Sequence, residues 1–95
     1  MQLHERTMRK RIRFFGRVQC VGFRYKAKYA ANYYGATGWV RNEYNGSVTM
    51  EIQGTERQIN DVVSAIDRDL YIRIERMETK WLDPDPDERS FRVKS

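Results

Sequence analysis

The sequence predicts a two-layer α+β sandwich, an antiparallel sheet with two helices on one of its faces. Three observations carry this. Apolar residues recur at helical spacing over two segments and alternate over the segments around them, the two periods that separate helix from strand. Asn45-Gly46 lies between two β-rich runs, a strong hairpin signal. Thr55 precedes Gln58 by three residues at the head of the second apolar stripe, the pattern of a reciprocal capping box.

From Arg9 to Val18 the chain alternates in part, with Ile12 and Phe14 on one face and Arg11 and Arg13 on the other. That is a half-buried strand. A helix follows over Phe23 to Tyr34, with Phe23, Ala27, Ala30, Ala31 and Tyr34 along one side. Gly35 stands where a left-handed C-terminal residue belongs. "GWVRN" (38–42) and "SVTMEIQ" (47–53) are the hairpin strands. The second helix runs from about Glu56 to Asp69, its stripe made by Ile59, Val62, Val63 and Ile66. "YIRIERMETKWL" (71–82) returns to strand and puts Met77 and Trp81 on one face. "DPDPDE" (83–88) reads as an exposed acidic turn, its prolines and missing central glycine setting it apart from a calcium loop. "SFRVK" (90–94) is a short last strand. The order βαββαβ plus a terminal strand is that of the ferredoxin-like fold, which hosts many functions and settles none of them.

At 95 residues the chain has room for one modest core. Residues 8–95 are expected to form that single domain behind a loose leader over 1–7, with Met8 a second candidate start. Hydrophobic content of 40% excludes disorder, and no apolar run is long enough to span a bilayer. "MQLHERTMRKR" has charge but no apolar stretch behind it, unlike a secretory signal. His4 stands alone in the leader, which argues against a metal-ligand role. The lone Cys20 has no internal disulfide partner, which fits a reducing cytoplasm. A net charge of +5 favours an anionic partner, but it serves solubility equally well.

The stretch "GRVQCVGFRY" (16–25) holds the chemistry. Val21 and Gly22 occupy the positions where Ser, Thr, Asp or Asn would cap the first helix. The first-turn N–H groups stay available, and with the positive end of the helix dipole they form an anion cradle. Arg24 is unfavourable so near that end unless a bound dianion offsets it, and its fork of donors suits phosphate or carboxylate. The bland alternative is that Gly16 merely ends a strand and Arg24 points into solvent.

"GRVQCVGFRY", followed by "GWVRN" (38–42), "NGSV" (45–48) and the closing "SFRV", closely resembles the acylphosphatase family, from about Met8 to Val93. The resemblance implies the ferredoxin-like fold and hydrolysis of the carboxyl–phosphate bond of small acyl phosphates, without metal, cofactor or covalent intermediate. It implies that Arg17, Val18, Gln19, Cys20, Val21, Gly22 and Phe23 wrap the phosphate with backbone N–H groups and that Arg24 holds its oxygens. Asn42 would orient the attacking water; its plainer reading is an Asn that caps the hairpin turn. Inorganic phosphate or sulfate would occupy the same site, and a cytoplasmic monomer with no membrane or nucleic-acid partner is implied.

One position departs from the family, which usually has Gly where this chain has Cys20. If that position needs a positive φ, the Cβ adds roughly 1–2 kcal/mol of strain; with an ordinary backbone there it is tolerated. As a nucleophile Cys20 lacks an evident general-acid partner. The alternatives to an enzyme are a non-catalytic anion-binding module or an RNA-binding ferredoxin-like module. Against the latter, "SVTMEIQ" carries no aromatic to stack a base, and Trp39 and Trp81 read as packing residues.

Overall fold

Alternation along the first strand decides which side of the sheet is covered. The computed structural model describes residues 5–95, with the elements β1 (Met8–Arg17), α1 (Phe23–Tyr34), β2 (Thr37–Asn42), β3 (Val48–Gly54), α2 (Glu56–Asp67), β4 (Arg73–Leu82) and β5 (Phe91–Lys94). Of the expected leader, residues 1–4 and with them His4 lie outside the described residues; 5–7 are exposed and belong to no element. Ile12 and Phe14 of β1 are buried with Val48, Met50 and Ile52 of β3 and Val40 of β2. Over them lie Phe23, Ala27 and Ala31 of α1 and Ile59, Val62 and Ile66 of α2, all buried. The Phe14 and Phe23 rings meet at 4.8 Å and a 58° tilt, within the favoured range for aromatic pairs. This fixes the start of α1 against the end of β1.

The strand order is β4-β1-β3-β2-β5. The first four strands are antiparallel as expected, but β5 joins β2 in parallel, so the sheet is mixed. The cause is the segment after β4, which crosses beneath the sheet from one edge to the other. That segment is not the wholly exposed turn the sequence suggests. Asp85 exchanges backbone hydrogen bonds with the Gln53 side chain, donating at 2.7 Å and accepting at 2.9 Å. Glu88 accepts two hydrogen bonds from the Arg9 guanidinium, at 2.8 and 3.1 Å. Arg9 also reaches Glu51 at 3.1 Å and is only 6% exposed, so one position on the open sheet face is buried by an ion-pair network.

Helix α1 has the expected bounds, with Gly35 left-handed at its end, and the Thr55–Gln58 capping box of α2 is formed. Helix α2 stops at Asp67, two residues early, because the Asp69 carboxylate accepts the Tyr71 N–H at 2.9 Å and turns the chain. Met77 and Trp81 share a face but are about half exposed, since β4 is the edge strand. Trp81 therefore packs little, and Lys10 sits over its ring at 5.0 Å.

Candidate active site

Gly16 answers to the sheet. The β1–β4 register shifts between Phe15 and Gly16, and Gly16 has φ 131° there. A Cβ at this position would strike the Arg73 carbonyl and lie 2.9 Å from the Glu75 nitrogen. Beyond it the chain leaves the sheet, anchored by the buried Val18.

Cys20 has φ 61° and Gly22 φ 79°, while Val21 between them stays at negative φ. Such alternation of hand turns successive N–H groups to one side and makes a concavity for an anion. Gly22 is the N-cap of α1, with no side-chain cap and no acidic residue in the first turn. The first helical bond runs from Lys26 N–H to Gly22 C=O at 3.0 Å, so the N–H groups of residues 23–25 have no acceptor within the helix. The ordinary-backbone reading of Cys20 is overturned. It is the one non-glycine with positive φ among the described residues, and its thiol is free and exposed.

Arg24 and Asn42 arrive from different elements. Arg24 is half-buried and donates from its guanidinium to the Lys94 carbonyl of β5 at 3.3 Å. Asn42 is the last residue of β2. The turn-capping duty is performed by Asn45, whose side-chain oxygen accepts the Ser47 N–H at 3.0 Å. Glu43 N–H donates to Ser47 C=O at 2.9 Å, and Asn42 takes neither bond. The Glu43 carboxyl is held below its ordinary range by the Thr49 hydroxyl, with Arg41 adding to the effect.

A cleft of 110 Å³ is lined by Val18, Cys20, Gly22, Phe23 and Arg24, together with Tyr25 and Asn42. That is room enough for a phosphate group. A wider hollow of 590 Å³ beside Met8 and Arg57 contains none of these groups. Of the other positions expected to wrap the anion, Arg17 is exposed at the strand end and Val21 packs against the core. The Gln19 side chain turns away to the hairpin, donating to the carbonyls of Glu43 at 2.7 Å and Ser47 at 2.8 Å. Sequence reasoning missed Tyr25, the Gln19 contacts and the Lys94 carbonyl. Tyr25 closes the motif itself and was within reach; the other two involve backbone acceptors, which leave no mark on a sequence. Among the described residues no three His, Cys, Asp or Glu side chains converge as metal donors.

The model of the acylphosphatase family matches residues 10–93. The acylphosphatase of Geobacillus thermodenitrificans is 39% identical over 79 residues, covering 82% of this chain and 84% of that protein. That of Oceanobacillus iheyensis is 38% identical over 81 residues, covering 83% and 89%. The crystal structure of acylphosphatase from Bacillus subtilis shares the fold with a TM-score of 0.85 and 26% identity, over 93% of this chain and 99% of that one. A match running from β1 to β5, with this identity over most of both chains, places the chain in the acylphosphatase family.

Proposed function

We propose that this chain hydrolyses the carboxyl–phosphate bond of small acyl phosphates, releasing a carboxylate and inorganic phosphate. The observation that carries the reading is the meeting of Arg24, Asn42 and the uncapped start of α1 on one phosphate-sized cleft. The N–H groups of the 17–23 loop and the Arg24 guanidinium bind the phosphate oxygens, and Asn42 orients a water in line with the scissile bond. A P–O bond forms to that water as the bridging P–O bond breaks; the carboxylate leaves with the electron pair, and a phosphate oxygen takes the proton. Positioning and charge stabilisation supply most of phosphoryl transfer, and a carboxylate is a good leaving group, so no acid need protonate it.

Two observations support catalysis over simple binding or RNA recognition. The Asn42 amide is left out of the turn it adjoins. The Trp39 ring is covered by Lys94 at 4.3 Å and Arg41 at 5.0 Å, which leaves it a poor platform for a base. The acyl part of the substrate stays outside the cleft, so the site reads the phosphate. No helix among the described residues is long and apolar enough to cross a membrane. A free, exposed thiol suits a reducing compartment, and we assign the chain to the cytoplasm as a monomer with one domain over 8–95.

The test is hydrolysis of benzoyl phosphate in EDTA, with inorganic phosphate as competitor, by wild type, Arg24→Ala and Asn42→Ala. Wild-type turnover is expected to persist in the chelator, and each substitution to lower it by about a hundredfold or more. A wild type that binds phosphate without turnover would reduce the reading to an anion-binding module.

A further inference from the structure

The two halves of the cleft belong to strands that are not neighbours. The loop 18–22 follows β1, Asn42 ends β2, and β3 runs between them, a separation of about 10 Å across the sheet. The sheet therefore holds their relative position only through an intervening strand. Gln19 is the direct link. Its side-chain nitrogen donates to the carbonyls of Glu43 and Ser47, at 2.7 and 2.8 Å, the two residues that face each other at the mouth of the hairpin. Each carbonyl already accepts a backbone bond, from Gly46 N–H at 3.2 Å and from Glu43 N–H at 2.9 Å, so the amide fills their second acceptor sites. Both partners are carbonyls, so only the nitrogen can face them, and the orientation of the amide is fixed.

We infer that Gln19 is a positioning residue, a clip between the anion loop and the hairpin that sets Asn42 at its working distance from the bound phosphate. This rests on the hydrolytic reading above. The Gln19 side chain turns to the hairpin and stays out of the cleft lining, so it acts through Asn42 and not on the substrate. An Ala at position 19 leaves the hairpin its own backbone bonds and lets the chain fold. A Glu there keeps the shape but removes both donors and turns a carboxylate toward two carbonyls.

The experiment measures benzoyl phosphate turnover, inhibition by inorganic phosphate and thermal midpoint for wild type, Gln19→Ala, Gln19→Glu, Asn42→Ala and the Gln19→Ala/Asn42→Ala double variant. Gln19→Ala and Gln19→Glu are expected to lower kcat about tenfold to a hundredfold, the size of an ångström-scale misplacement. The inhibition constant for phosphate should stay within about threefold, because the loop N–H groups and Arg24 remain. In the Asn42→Ala background, removing Gln19 should add less than about threefold, since the two act as one unit. An equal loss in both backgrounds would overturn the inference, as would a phosphate inhibition constant that rises in step with the loss of kcat. Turnover is not the only readout. The NMR order parameter of the Asn42 side-chain amide should fall in Gln19→Ala; an unchanged value would also overturn the clip. Absent turnover in the wild type would sink the hydrolytic reading, with the clip then judged on this measurement.

Discussion

At Cys20 an L side chain sits in a backbone shape that glycine adopts freely, with φ 61°. The left-handed region costs a non-glycine residue roughly 1–2 kcal/mol, while glycine brings back roughly 0.5–1 kcal/mol of unfolded-chain entropy. Cys20→Gly is therefore expected to stabilise the protein by about 0.5–1 kcal/mol, read as a rise of a few degrees in the thermal midpoint. A midpoint unmoved or lowered would mean that the loop relaxes the strain some other way. The same scale shows where sequence reading stops. The resemblance points to Arg24 and Asn42 by position, and both line one cleft in the structure. Gln19 was legible only as a member of the loop, since its side chain acts on backbone carbonyls 24 and 28 residues away. For Gly16 the plain strand-end reading is the nearer one, and the β-bulge against β4 gives its reason.

Among the elements, the helices were the most legible and the edges of the sheet the least. Periodicity and the left-handed Gly35 defined α1 at both ends, because those signals are local. The end of α2 was set by the competing hydrogen bond at Asp69, which periodicity cannot see. The capping box was readable as a pattern, but its reach was not. Gln58 accepts the Thr55 N–H at 2.8 Å and also donates to the Tyr34 carbonyl at 2.9 Å. One side chain thus closes the start of α2 and ties it to the end of α1. Gln58→Ala is expected to destabilise by about 1–2 kcal/mol, the sum of a lost cap and an interhelical hydrogen bond. Thr55→Ala, which removes only the cap, should lose about 1 kcal/mol. Denaturant midpoints that rank the two the other way would refute the second role of Gln58.

Over the whole molecule, the element order gave the four-strand topology, since strands joined by a hairpin or by a helix crossover have few ways to pair. The crossing beneath the sheet and the parallel β5 did not follow from it. The crossing is held by Gln53 and by Arg9, and Arg9 reads as a solvated strand residue until its partners Glu51 and Glu88 arrive from 42 and 79 residues away. Replacing one member of a buried ion-pair network strands the others, so Arg9→Met is expected to destabilise by about 3–5 kcal/mol. Chemical denaturation checks this, and a loss below about 1 kcal/mol would put the pair among ordinary surface bridges. The same crossing delivers β5 to the far edge, where the Lys94 carbonyl receives the Arg24 guanidinium. Those partners are 70 residues apart, which at ribosomal speeds separates their synthesis by roughly 4–14 s. For that interval the acceptor of the Arg24 guanidinium is not yet made. The strand that completes the support of Arg24 is thus made only after the other four strands of the sheet.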